Sequence, residues 1–297
     1  MDVIKPLAIT GSNGISSSVP EADYAIYNAG TAYALGARVM ITTGEHRCYE
    51  SLQAANTGHA PQSNPTWWVD IGATNRWAMF DTSVSTQTVA TGALTVSLQP
   101  GGISSLALIN MDGSGVSVTI TDGTGAMVYS SNTGLRLYNA DSLHEYFFKP
   151  IEYKRFLVLN DLPNYYEGVL TISIQPGVDG LAKCGLCVVG TAYHIGALQY
   201  DSGGGNTDFS TVNTDVFGTT TFTPRTSAAK LTGTVWVDTF YVDSVVRVMQ
   251  GLSAIPCVWS GSEIYESSVI YGYRKDFTFS YKSPSHTIFN IEIQGIT

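Results

Sequence analysis

Hydrophobic and polar positions alternate through the middle of the chain. Val84, Thr86 and Thr88 interleave with a polar set, and Leu94, Val96 and Leu98 then fall on one face. Period two marks a half-buried strand, because successive side chains point to opposite faces of a sheet. Pro100-Gly101-Gly102 closes that run with turn residues. Further strands are expected at Leu106 to Met111, Val116 to Thr121 and Ala126 to Tyr129, separated by the hairpin dipeptides Asp112-Gly113 and Asp122-Gly123. Phe147-Phe148, Phe156 to Leu159 and Val169 to Ile174 continue the series, and Pro176-Gly177 stops it.

Short strands at this spacing predict a β-sandwich or jelly roll over residues 82–180. The stretch 1–81 is richer in Trp, Tyr, Asn and Gly and has no sustained period, which suggests a small β module with a thin core. From 181 to 297 the pattern predicts a third, β-rich domain. Leu186 to Val189, Thr219 to Phe222 and Val235 to Val237 read as strands, Tyr200 to Gly205 as a loop, and Phe277 to Glu292 as two closing strands. One segment changes period: Phe240, Val242, Val245, Val246, Met249 and Leu252 approach helical spacing, which predicts a helix over 240–251 with Gly251 as a stop. The fold class expected is therefore mainly β, with one short helix.

Composition narrows the function classes. Only 13% of the 297 residues are charged against 44% hydrophobic and 11% aromatic. An average soluble domain carries charge on about 25% of its residues. Aromatic and aliphatic content argues against disorder, and no apolar run approaches the roughly 18 residues of a membrane span. With a net charge of −9 and no basic run, electrostatic binding to nucleic acid is not expected. The N-terminus lacks a basic stretch followed by an apolar one, so synthesis in the cytoplasm is expected. The four cysteines are too few and scattered for a disulfide framework, and reduced, buried thiols are expected.

Candidate chemistry is thin. Cys184-Gly-Leu-Cys187 is a CxxC motif without the second ligand pair zinc needs, and without the βαβ context of a redox site. It reads better as two small hydrophobes in a strand. The five histidines, His46, His59, His144, His194 and His286, show no metal-binding spacing, and no GxSxG elbow accompanies them. Gly11-Ser12-Asn13-Gly14 and Gly203-Gly204-Gly205 precede no helix with a lysine, so they read as turns rather than phosphate loops. Asp112-x-Ser114 and Asp122-x-Thr124 could offer calcium oxygens, but hairpin turns use the same residues. The nearest carboxylate pairs are Glu45/Glu50, Glu145/Glu152 and Glu263/Glu266; no groove motif accompanies them, so they read as solvated surface. No catalytic residue, metal or cofactor is assigned.

The informative cluster is aromatic. Tyr24, Tyr27 and Tyr33 precede Tyr49, and Pro61 leads to Trp67-Trp68 and Trp77. Flat rings stack on the apolar faces of sugars while Asn, Gln and Asp bind hydroxyls, yet a small module also needs large aromatics to build a core. Tyr33, Tyr49, Trp67 and Trp68 are the candidate carbohydrate-binding residues, and Trp77 is expected to pack. The order Tyr33-x-x-Gly36-x-x-Val39, Arg47-Cys48-Tyr49-Glu50, Asn56-Thr57-Gly58, Pro61, Trp67-Trp68-Val69-Asp70-x-Gly72 resembles small chitin-binding-type modules, although His46-Arg47-Cys48 stands where a small-polar run is common. Such modules recur at the N-termini of tail proteins of tailed bacteriophages. The remainder resembles phage tail proteins in looser motifs: Phe147-Phe148-x-Pro150, Asp161-Leu162-Pro163, Asp208-Phe209-Ser210, Asp215-x-Phe217-Gly218 and Ile255-Pro256-x-x-Trp259.

The resemblance implies a virion structural component of the tail tip, baseplate or collar region, assembled as a homo-oligomer with other tail proteins. The low-charge, aromatic surface suits such contacts independently. A carbohydrate-binding host-adhesion module that grips cell-surface glycan is the alternative. A polysaccharide-degrading enzyme ranks third, since no carboxylate motif and no β-helix repeat support it.

Overall fold

A computed structural model describes residues 1–137, 141–262 and 265–296. The protein is mainly β, as expected, and its described strands fall into two packed sheets, a small N-terminal sheet, a two-stranded pair of Arg136–Leu137 with Glu152–Tyr153, and a projecting arm. The largest sheet has 11 strands, and strands from before residue 82, from 82–180 and from 181 onward lie side by side in it. Its longest strand, Leu181–His194, pairs with Ser105–Asp112 along one edge, and along the other with Thr88–Thr91 near its start and Asp2–Pro6 near its end. Asp2–Pro6 in turn pairs with Cys257–Ser260. The N-terminal strand is thus internal: Val3 faces one core, Ile4 the opposite one, and both are fully buried.

A five-stranded sheet, ordered Met127–Gly134, Gly115–Thr121, Val169–Gln175, Leu94–Leu98 and Gly14–Ser17, covers one face of that large sheet. The alternating residues do what their spacing predicts. Leu94, Val96, Leu98, Val116, Val118, Ile120, Leu170, Ile172 and Ile174 are buried in a common core with Leu106, Leu108 and Met111 from the facing sheet. On the outer face, Thr95 bonds Ser173 and Ser97 bonds Thr171, hydroxyl to hydroxyl. The predicted sandwich therefore forms, but it draws one strand from residues 14–17 and another from beyond 180.

The expected helix is present as Val242–Gly251, after a 3-10 turn at Thr239–Tyr241. Val242, Val245 and Met249 pack it onto the large sheet with Leu252, whereas Phe240 belongs to the preceding turn and is exposed.

Local expectations fail at identifiable places. Residues 84–87 form no strand; the strand begins at Thr88. Asp112-Gly113 does not make a hairpin, because the strands it joins belong to different sheets. Asp122-Gly123 does, with the Asp122 carboxylate accepting from the backbone N–H of Thr124 and Ala126. Phe147-Phe148 is helical, within Leu143–Phe148, because the Ser142 hydroxyl caps the helix by accepting from the N–H of Glu145. Gly203-Gly204-Gly205 opens a strand, Gly203–Asp208, rather than a loop.

Candidate functional site

Residues 25–73 form the separate four-stranded sheet. Ala25–Ile26 runs parallel to Arg38–Ile41, which pairs antiparallel with Arg47–Ser51, itself antiparallel to Trp68–Ala73. Its core is small and aromatic, built on Val39, Tyr49 and Trp68, with Tyr27, Tyr33, Ile41 and Trp67 packed around them. All four candidate residues therefore meet in one cluster, but in two different roles.

Tyr49 and Trp68 are buried, at 6% and 2% exposure, and present no face to a ligand. The Trp68 indole N–H donates to the carbonyl of His59 at 2.8 Å, and its ring takes Tyr33 and Tyr27 edge-on at 5.2 and 5.9 Å. Tyr49 donates its hydroxyl to Glu45 at 3.0 Å. Burial first, then that carboxylate, pushes its phenol up to about 12. Tyr33 is half-buried, tied by backbone bonds to Asn56, and its hydroxyl accepts from the N–H of Asn28 at 2.8 Å. Trp67 is also half-buried and lies flat on the imidazole of His59, ring centres 3.9 Å apart and planes 13° from parallel. One indole face is thus taken, and the indole–imidazole pair stands beside half-buried Tyr24, Tyr27 and Tyr33 as a part-exposed aromatic feature of the module. Sequence reasoning missed His59; the planarity of its ring, close before Pro61, was the available signal.

Polar pairs brace the same sheet: Arg38 with Glu50 at 2.7 Å and Arg47 with Asp70 at 2.5 Å. Several other candidates sit in plainly structural settings. Asp112 pairs with Lys183 at 2.9 Å. Cys184 and Cys187 are free, buried thiols. His194 meets Asp2 at 2.7 Å. Glu263 lies outside the described residues, and among those residues no group of three or more His, Cys, Asp or Glu could hold a metal ion. No described helix is long and apolar enough to cross a membrane.

No protein-family model matches the chain, and no curated protein matches it. Among solved structures it is similar to CpGH89CBM32-5 from Clostridium perfringens, in complex with GalNAc-beta-1,3-galactose. Identity is 11%, the match covers 39% of this chain and 83% of that one, and the TM-score is 0.28.

A second surface was invisible to motif reasoning. Gly203–Asp208 pairs with the first half of Ser227–Asp238, and the hairpin continues outward as Thr211–Thr214 against Thr220–Thr223. Between the two parts the ladder is kept by Ser210, whose hydroxyl accepts from the N–H of Arg225 at 2.9 Å. Every residue from Thr211 to Ser227 is exposed, including Val212, Val216, Phe217 and Phe222. At the tip, Asp215 accepts from the N–H groups of Phe217 and Thr219, and Gly218 takes the left-handed φ of 82°.

Proposed function

We propose that this chain is a structural subunit of a phage tail, built into the particle through its projecting arm and its other exposed aromatic surfaces. One observation carries the reading. The outer half of the arm presents Val212, Val216, Phe217 and Phe222 to solvent with no core behind them. A lone two-stranded hairpin is marginally stable in water, so such an arm belongs against another subunit. Phe147, Phe148, Tyr166 and Tyr281 add further exposed rings, which are enriched where proteins meet. Low charge on the surface lowers the desolvation cost of permanent contacts. The resemblance of the sequence motifs to tail proteins supplies the setting: synthesis in the host cytoplasm, residence in the virion, other tail proteins as neighbours, and no catalytic step.

Antibodies against the chain should decorate the tail of purified virions in electron micrographs. Its absence from washed particles would overturn the reading.

A second reading has its own observation. The Trp67–His59 stack gives the N-terminal module a planar, part-exposed platform, with Gln53 and Asn64 nearby in the chain and polar enough to bind hydroxyls. Glycan adhesion by this module is compatible with assembly by the remainder. Isothermal titration with chitin oligosaccharides tests it, and absence of heat at millimolar ligand sinks it.

A further inference from the structure

The arm has a complement on the same chain. A cavity of about 680 Å³ opens where Ala197–Leu198, the terminal strand of the large sheet, meets the start of the helix Val242–Gly251. Gly196, Ala197, Trp236, Val237, Tyr241 and Val245 give it a mostly apolar wall, and His194, Asp238 and Ser285 supply the polar remainder. Half-exposed Trp236 and Tyr241 form its rim, with exposed Phe240 packed edge-on against Tyr241 at 5.2 Å. Pockets in the range of about 300–1,000 Å³ with apolar walls hold small apolar ligands well. The two side chains at the arm tip, Val216 at 94% and Phe217 at 90% exposure, have the matching chemistry.

Geometry separates this knob from this hole within one molecule. The arm leaves from the Ser227 end of strand Ser227–Asp238, and the cavity sits at the Asp238 end. The strand alone spans about 30 Å between Ser227 and Trp236, at roughly 3.3 Å per residue. Full exposure of Thr211 to Ser227 shows that the arm does not fold back across the body. A chain therefore cannot fill its own cavity with its own tip, and a second copy can.

We propose that Val216 and Phe217 of one copy seat in the cavity beside Trp236 and Tyr241 of a second copy, so that the protein assembles head to tail with itself. The inference deepens the assembly reading above and rests on it. Knob and hole are different surfaces, so the contact is heterologous, and repetition gives a ring when the rotation closes. Size supports a copy of the chain as the occupant. A stable interface takes about 20–30 residues from each side, and the arm from Phe209 to Ser227 supplies most of one side while the aromatic rim starts the other. Aromatic rings seated in a desolvated pocket are where binding energy concentrates in such contacts.

Light scattering on the full-length chain tests this by complementation. Phe217→Asp destroys the knob and leaves the cavity, and Ala197→Arg, at an exposed edge position, blocks the cavity and leaves the arm. Wild type is expected as an oligomer, and each variant alone at the 31.8 kDa of one chain with an unchanged circular dichroism spectrum. An equimolar mixture of the two variants should regain a two-chain complex, since one intact knob then meets one intact hole. Variants that keep the wild-type mass, or a mixture that stays monomeric, overturn the inference. Wild type monomeric at every concentration also overturns it, while labelling of virions decides the broader assembly reading separately.

Discussion

The imidazole of His46 lies flat on the indole of Trp77, ring centres 4.0 Å apart and planes 14° from parallel. His46 sits in the loop between two strands of the N-terminal sheet, and Trp77 in the segment that leaves it. Glu21 joins both sides, with one oxygen 2.9 Å from His46 Nδ1 and accepting from the Thr74 hydroxyl at 2.8 Å. The far edge of the indole reaches Gly14, where an added Cβ would stand 3.4 Å away. This stack is a latch between the aromatic module and the sandwich. Burying a Trp fully is worth roughly 3–5 kcal/mol against Ala, and half-buried Trp77 should carry about 2 kcal/mol of it. Trp77→Ala is expected to loosen the module before the sandwich, as an early urea transition and as protease cleavage within residues 18–82.

Adjacent tryptophans should behave differently. Trp68→Ala removes the ring that Tyr27 and Tyr33 pack against edge-on and leaves the His59 carbonyl unpaired, so the module should lose about 3–5 kcal/mol and melt first. Trp67→Ala strips a part-exposed ring and should cost about 1 kcal/mol or less. If the module grips glycan, Trp67→Ala is also expected to weaken chitin-oligosaccharide binding by about tenfold or more in titration calorimetry. Equal loss of stability in both variants would remove the distinction.

Two glycines in strands offer a test of the internal N-terminal strand. A Cβ on Gly190 would collide with the backbone carbonyl of Lys5, across the pairing of Asp2–Pro6 with Leu181–His194. Backbone cannot yield as a side-chain tip can, so Gly190→Ala should cost at least the upper part of roughly 1–3 kcal/mol for overpacking. Gly203→Ala meets nothing within 4 Å and should stay within about 0.5 kcal/mol of wild type. Chemical denaturation of both variants reads the contrast. A neutral Gly190→Ala would mean that the first strand does not dock there.

Alternation made much of the sandwich legible, because Leu94, Val96 and Leu98, or Leu170, Ile172 and Ile174, each have one buried and one solvated face. Period two does not say which sheet a strand joins. Asp2–Pro6 is too short for a pattern, and its partners lie near residues 190 and 259. The helix at Leu143–Phe148 was hidden by the strand preference of Phe147 and Phe148, although Ser142 and Glu145 stand at capping-box spacing. Gly203 to Gly205 looked like a loop because local propensity favours one; pairing with Lys230 to Thr232 overrides it. In the candidate site the aromatic residues were legible, but their division into buried Tyr49 and Trp68 and half-buried Tyr33 and Trp67 was not. That division depends on which ring the strands turn inward, and both neighbours in a Trp-Trp pair have the same composition.

The cysteines give a pH-dependent prediction. Burial pushes the thiols of Cys184 and Cys257 up to about 12 and that of Cys48 to about 11, and Cys187 is raised as well. In the unfolded chain the same thiols ionise near their ordinary value of about 8.5. The folded state therefore holds more protons than the unfolded state between those limits. By linkage, the stabilisation from neutral thiols is complete below about pH 8.5 and falls as pH rises toward 11–12. An aromatic disulfide reagent at pH 8 should titrate none of the four thiols in the native protein over minutes and all four in guanidinium. Rapid native reaction at Cys184 or Cys187 would show that the sheet opens there, and would reopen a reactive role for the CxxC pair.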